Sequence, residues 1–348
     1  MTTTLRIGLL RLVDSAPVMV AEQRGLFAEL GLKVILSIEP SWSNVADKLA
    51  FGLLNAAVML PPLAMAIAMG LRGPPSPLIV PMGLSQGGNT IVLAKGTAPM
   101  ANQRSDGSVL AWFQGQAQPP RFAVVHRFST HNLLLRYWLA LAGADPDRDI
   151  NTVVVPPEQL VDALASGRSA GFCAGAPWGE LAVDRGVGRV LLGTSSIWPF
   201  HPEKCLAVHA PWAEANAELL RKLLRALLRA QILCDLPEEA PRIAALLASP
   251  NGLRLPEAAA RAALPDGHGA EQIHFHTGAA WFPARAHAVW FLQQMRRWGW
   301  MEPHVDLSAV AAAVYRPDLL ARAAAEEDSL FFALPGRSPP TPFPKILK

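Results

Sequence analysis

The chain has 348 residues, a formal net charge of +3 and a 51% hydrophobic content, enough for one large domain or two medium ones. Its basic residues are scattered and form no stripe, which excludes the electrostatic footprint of a nucleic-acid-binding surface. Three distant cysteines, Cys173, Cys205 and Cys234, make no CxxC pair and no metal-ligand spacing with histidine, which argues against a disulfide framework and a zinc site.

The sequence from Met1 runs directly into a strand-like pattern, with no charged n-region, apolar h-region or small-residue cleavage site, so a cytoplasmic location is expected. Residues 5–10 suit a buried parallel strand. Residues 16–30 carry apolar residues at helical spacing, with Ser15 as N-cap and Pro17 in the first turn, and 34–38 give a second strand. Strand, helix and strand make a βαβ opening.

The cluster Ser41-Trp42-Ser43-Asn44 opens a second helix and leaves its first backbone N–H groups available. Residues 53–71 are apolar over a length that could span a bilayer, but Pro61 and Pro62 interrupt them, so a strand at 56–60, a turn and a short helix at 63–69 are expected. Strands follow at 78–82 and 89–95, the second preceded by Gly87-Gly88. Residues 96–120 turn rich in Gln, Gly, Pro and Ser and read as a linker.

A second βα series begins at 122–125. Ser129-Thr130-His131-Asn132 caps a strongly patterned helix through Leu141, and strands at 152–155, 171–174 and 190–192 alternate with helices at 157–165 and 180–184. A strand at 206–209 precedes a third of the chain that is helical in pattern. An α/β chain that ends this way is expected to return to its first half and pack helices around it, with crossings near 93–96 and 205–209. The tail from 335 to 348 is proline-rich and reads as extended.

The two polar helix starts follow strands at equivalent points of the two series, where open α/β sheets bind ligands and where helix N-termini offer donors to anions. Trp42 brings an indole N–H and a flat face; His131 is an unusual choice at the positive end of a helix dipole. Asn89 follows two glycines that let the backbone approach a ligand and leave the amide free to donate. Lys204 lies alone between two strand candidates. Each of the four also fits an ordinary packing or surface role, and only their convergence would make an anion site. No nucleophile elbow, Walker motif, dinucleotide fingerprint or His-x-x-x-His pair is present, so an enzyme is not expected, and neither a cofactor nor a metal is. His274 and His276 alternate along a strand without a carboxylate or cysteine beside them.

Several of these stretches together resemble a known family. They are Ser41-Trp42-Ser43-Asn44 with Asp47-Lys48-Leu49, Gly88-Asn89-Thr90-Ile91, Ser129-Thr130-His131-Asn132 leading to Leu135-Arg136-Tyr137-Trp138, Gly171 to Trp178, and His201-Pro202-Glu203-Lys204. They are similar to the nitrate-binding family of NrtA/CmpA-like proteins, which takes in nitrate- and bicarbonate-binding components of ABC importers and the cytoplasmic nitrate/nitrite sensor NasS. The likeness runs over about residues 5–235. The chain departs from the pattern at Gly87, where the family often has asparagine, and at Gly179, where it has asparagine after Pro-Trp.

The resemblance implies an α/β chain with a type II periplasmic-binding-protein fold, two βα lobes with a hinge and a helical C-terminal region packed on lobe 1. Lobe 1 is expected over 1–95 and 206–334, lobe 2 over 96–205, and the tail over 335–348. It places Trp42 and Asn89 on lobe 1, His131 and Lys204 on lobe 2, and Gly175 and Pro177 in the same cleft, around nitrate or nitrite. In the bicarbonate-binding relatives the place of Lys204 looks acidic and needs a cation, so a lysine there implies that the protein supplies the countercharge itself. On that reading Lys204→Glu abolishes binding and leaves the fold intact.

With no export signal expected, the resemblance points to a NasS-like sensor that holds a NasT-like RNA-binding antiterminator of the ANTAR class and releases it when the anion binds, with no direct contact to nucleic acid or membrane. The first alternative is an exported nitrate-binding subunit of an ABC importer. The second is an enzyme of thiamine-pyrimidine synthesis on the same fold, which three scattered cysteines support poorly.

Overall fold

The computed structural model describes residues 4–96 and 108–327. The proline-rich tail expected over 335–348, and part of the linker expected over 96–120, lie outside the described residues.

Eleven named strands in this part of the chain form two sheets. In chain order they are β1 (Thr4–Leu9), β2 (Lys33–Ile38), β3 (Ala56–Met59), β4 (Leu78–Gly87), β5 (Asn89–Ala94), β6 (Arg121–Val124), β7 (Asn151–Val154), β8 (Gly171–Gly175), β9 (Gly188–Gly193), β10 (Pro202–His209) and β11 (Ile273–His274). One sheet has six strands in the order β11-β4-β10-β3-β1-β2, the other five in the order β7-β6-β8-β5-β9. In the first, β1 runs parallel to β2 and β3, while β10 is inserted antiparallel between β3 and β4. In the second, β6 runs parallel to β7 and β8, while β5 is inserted antiparallel between β8 and β9. Each sheet thus receives one strand that arrives directly from the other.

The chain crosses between sheets at Gly88, between β4 and β5, and again between β9 and β10. Both crossings fall before the positions expected from the sequence. Strand β5, and with it Asn89, belongs to the five-stranded sheet, and the whole of β10, including Lys204, belongs to the six-stranded one. Apolar alternation marks a segment as strand but says nothing of which sheet takes it in. The first crossing needs glycine: Gly87 and Gly88 have φ of +71° and +78°, where other residues are strained, and a Cβ on Gly88 would lie 2.2 Å from Ile273 Cγ1.

The helix starts follow their capping chemistry. Ser41 Oγ accepts from Asn44 N at 3.2 Å to open the Trp42–Ala50 helix, and Ser129 Oγ accepts from Asn132 N at the same distance to open Thr130–Leu141. Pro61 and Pro62 start the helix Pro61–Ala68, where a missing N–H costs little, and no helix among the described residues is long and apolar enough to cross a membrane. The helix expected over 16–30 is instead two, Ala16–Gln23 and Leu26–Glu29, broken at Gly25 with φ of +72°. Ser15 holds the N-cap position of the first, but its hydroxyl makes no cap bond and donates instead to Leu10 O.

The C-terminal helices pack mainly on the six-stranded half. Ala217–Cys234 lies on Ala16–Gln23 and on Pro317–Ala324. The helix Arg285–Arg297 touches both halves through Pro61–Ala68 and Thr130–Leu141, with the Trp290 and Tyr137 rings 6.3 Å apart.

Candidate functional site

The carboxyl ends of the parallel strands meet where the two halves face each other, and there the structure collects a buried polar cluster. The turn Val13–Ser15 after β1 supplies Asp14, β4 supplies Ser85, and the start of β10 supplies Glu203 and Lys204. From the other half come Asn89 at the start of β5, Gly175 at the end of β8, and His131 in the first turn of Thr130–Leu141. Trp42 opens its helix at the same place.

Adjacent residues of a regular strand point to opposite faces, yet Glu203 and Lys204 both turn into this cluster. The pairing of β10 with β4 slips between Pro202 and Lys204 and again between Lys204 and Cys205, the kind of irregularity that re-aims side chains. Lys204 Nζ consequently reaches Glu203 Oε1 at 2.6 Å and Asp14 Oδ2 at 3.2 Å, and it lies 5.6 Å from the centre of the Trp42 ring, within range of a cation–π contact. Glu203 also accepts from Asn89 Nδ2 at 2.7 Å and sits 3.3 Å from His131 Nδ1. Ser85 Oγ donates to Asp14 Oδ1 at 2.5 Å.

Lys204 is only 2% exposed, Trp42 and His131 1%, and Asn89 and Glu203 0%. Burial by itself would strip the proton from Lys204, but Asp14 and Glu203 more than offset this and raise its pKa. Burial likewise opposes ionisation of Glu203, and Lys204 with His131 overcomes it, holding that carboxyl below the usual range. For Asp14 burial wins over the attraction of Lys204, and its pKa is raised.

Five of the six residues expected in the cleft are therefore gathered at one place: Trp42, Asn89, His131, Lys204 and Gly175. A Cβ built on Gly175 would lie 3.2 Å from both Asn89 Oδ1 and Asp14 Oδ2 and 3.7 Å from Lys204 Nζ, so this glycine of one half lies directly against Asp14 and Lys204 of the other. Pro177 is buried two residues further on, just before the Trp178–Asp184 helix, and brings no polar group. Gly179, a departure from the family pattern, packs on Thr90: a Cβ there would be 2.1 Å from Thr90 Oγ1.

Two expectations are corrected. Asn89 does not keep its amide free, because its N–H group is engaged with Glu203. Lys204 is not an unmatched cation, because two buried carboxylates already face it. Neither carboxylate stands out in the sequence. Alternation along β10 hides Glu203 behind Lys204, and Asp14 stands next to a serine that looks like a helix cap. The signal for Asp14 is its position just past the first strand, on the ligand-binding edge. Among the groups left open are the indole Nε1 of Trp42, Nε2 of His131 and the amide oxygen of Asn89, all buried without a hydrogen-bond partner among the described residues. Two of the three ammonium donors of Lys204 face carboxylates.

His274 and His276 form no such cluster. His274 lies against Phe200 and His276 stacks on Trp281, and the described residues hold no group of three metal-ligating side chains. The three cysteines are buried and free.

Comparison with known proteins places this arrangement. The profile of the NMT1-like family matches residues 1–248. The chain belongs to the NMT1-like family. Within the family it is related to NrtA: the nitrate/nitrite binding protein NrtA of Synechococcus elongatus is 30% identical over 341 residues, covering 91% of this chain and 76% of that protein. The crystal structure of the periplasmic nitrate-binding protein NrtA from Synechocystis superposes with a TM-score of 0.88 at 29% identity, covering 94% of this chain and 89% of that one. The two-sheet α/β architecture is thus that of the periplasmic binding proteins. The nitrate import ATP-binding protein NrtC of Synechocystis is 33% identical over 331 residues, 92% of this chain but 49% of NrtC, so the chain spans about half the length of that relative. The two NrtA relatives are named as nitrate- or nitrate/nitrite-binding proteins and NrtC as an import ATP-binding protein, which sets the family resemblance apart from enzymes on the same fold.

Proposed function

We propose that the chain is a binding protein for a small planar oxyanion, nitrate or nitrite, and that it serves an import system. The observation that carries this reading is the buried ammonium of Lys204 under the Trp42 ring, with an indole N–H and an imidazole nitrogen left open beside it. Open buried donors are costly unless a ligand satisfies them. A flat oxyanion lying edge-on to the tryptophan can accept from the third ammonium donor and from the in-plane indole N–H. The NrtA relatives named above support nitrate and nitrite as the ligands.

With the cluster sealed from solvent, an anion enters only when the halves part, and the two crossing segments are where such a motion would turn. The chain has no Walker motif, so the shared half of NrtC gives no reason to propose ATP binding. A cytoplasmic sensor holding a NasT-like antiterminator would use the same closure, provided anion and partner preferred different positions of the halves. The NrtC relative carries an import name and the NrtA relative of known structure is named as a periplasmic nitrate-binding protein, so the importer reading stands ahead of the sensor reading.

Isothermal titration of the full chain with nitrate, nitrite, bicarbonate and chloride tests the proposal. Saturable 1:1 binding of nitrate or nitrite, with chloride bound far more weakly, is the expected result; absence of binding by both oxyanions would overturn it.

A further inference from the structure

The charges at the site leave an incoming anion without a positive partner of its own, because Lys204 already faces two carboxyl groups. A carboxylate oxygen only accepts hydrogen bonds, and Glu203, kept ionised by Lys204, faces His131 Nδ1. The ring proton of a neutral His131 therefore sits on Nδ1. Its Nε2 is then a bare lone pair, buried and without a hydrogen-bond partner among the described residues. A lone pair repels an anion; the same nitrogen carrying a proton would hold it.

The surrounding groups do not supply the missing charge. Lys204 is matched by Glu203 and Asp14. Burial lowers the pKa of His201 and of His126 to about 4, so both are neutral at pH 7, with Arg72 lying beyond His126. The thiols of Cys173 and Cys205 are pushed up by burial and stay protonated. Asn89, Ser85 and Trp42 carry no charge.

We propose that the site takes its anion together with one proton from solvent, which comes to rest on His131 Nε2. Nδ1–H continues to donate to Glu203, the new Nε2–H donates to an oxygen of the anion, and no bond within the anion is broken. His131 is the second residue of its helix, where the dipole disfavours an imidazolium. Only a carboxylate at one end of the ring and an anion at the other make the cation stable there, so proton uptake and anion binding depend on each other. The inference rests on the proposed nitrate or nitrite site and adds that affinity is coupled to pH.

Calorimetric titration of the full chain with nitrate and nitrite at pH 7, 8 and 9, in buffers of different ionisation enthalpy, tests it. The expected result is close to one proton taken up per anion, with affinity falling about tenfold for each pH unit over which that uptake holds. H131Q, whose amide can donate to the anion without titrating, is expected to bind with no proton uptake and no pH dependence in this range. Wild-type binding that is equally tight at pH 7 and 9 with no buffer-dependent heat would overturn the inference while leaving the proposed function standing. Full proton uptake in H131Q would overturn the assignment to His131, and chelator-sensitive binding without proton uptake would put a metal cation in the proton's place. If neither anion binds at any pH, the proposed function falls and the inference with it.

Discussion

The two halves of the molecule are built alike and charged differently. Each has parallel strands in the same spatial arrangement, one antiparallel strand received from the other half, and a serine-capped helix start at the ligand-binding edge. Yet the six-stranded half brings Asp14, Glu203 and Lys204, whereas the five-stranded half brings Asn89, His131 and the bare backbone of Gly175. The repeated backbone fixes where side chains can converge. What they do there is set by the exchanged strands and by the turn after β1. In the proposed closure, the adjustable donors of one half come to lie over the fixed charges of the other.

The largest effect should come from breaking the charged half. Lys204→Met leaves Glu203 and Asp14 as buried carboxylates without a cation, and removing one partner of a buried ionic cluster costs about 3–5 kcal/mol. Denaturant unfolding should show this loss in the absence of any ligand. The expectation that Lys204→Glu spares the fold is therefore corrected, since a third buried carboxylate would replace the charge that holds the other two. Adding Asp14→Asn to Lys204→Met should recover part of the stability. A Lys204→Met protein as stable as wild type would show that the cluster does not support the fold.

The joins between the halves should respond to pH. Glu271, on the segment leading to β11, accepts from Ser195 Oγ at 2.9 Å and from Ser195 N at 3.3 Å, beside the second crossing, and it bonds the backbone of Gly88 at the first. Burial raises its pKa from 4.5 to about 7, against the effect of those hydrogen bonds. A carboxyl with a raised folded-state value favours the fold below its unfolded value and loses that advantage as pH climbs through the folded one. Wild type should thus lose on the order of 3 kcal/mol between pH 4.5 and 8 through this group. In Glu271→Gln that portion of the pH dependence should vanish. Identical pH–stability curves for the two proteins would remove Glu271 from the joins.

Much of this is legible in the sequence, for reasons that also explain what is not. Helix starts are written locally, so Ser41 and Ser129 announce Trp42 and His131 with their correct caps. Buried strands are short apolar runs, so β1 to β9 can be found within a few residues. Sheet membership is not local, and Asn89 and Lys204 are assigned to the wrong halves because an inserted antiparallel strand looks like any other. The slipped register that turns Glu203 toward Lys204 comes from pairing with β4, which nothing in Pro202-Glu203-Lys204-Cys205 reveals. The helices Leu307–Val314 and Pro317–Ala324 fall in the last third, which reads as helical only as a whole, although Asp306 accepts from Ser308 N and Ala309 N at the first of them.

Contact between the halves can be tested at Gly175. Its α-carbon faces Asn89 Oδ1 and Asp14 Oδ2 so closely that the methyl of Gly175→Ala would need neighbours to give by a few tenths of an ångström. Overpacking of this kind costs about 1–3 kcal/mol. Because the added methyl lies between the halves, the loss should fall on anion affinity more than on unfolding of the chain. A comparison of the nitrate dissociation constant with the denaturation midpoint separates the two, and a shift confined to the midpoint would place Gly175 outside the closing contact.

The smallest change asks whether the two helix starts play matching parts. Trp42→Phe keeps an aromatic face under Lys204 and removes only the indole N–H, which has no partner in the closed cluster. A hydrogen bond to a charged acceptor contributes about 1.5–3 kcal/mol and a neutral one about 1, while the fold should lose little because no internal bond is broken. The nitrate affinity should fall by about tenfold for each 1.4 kcal/mol and, unlike the effect of H131Q, the loss should be the same at pH 7 and pH 9, because an indole does not titrate. If Trp42→Phe binds nitrate as tightly as wild type, the indole acts through its ring alone, and the donors to the anion come only from Lys204 and the five-stranded half.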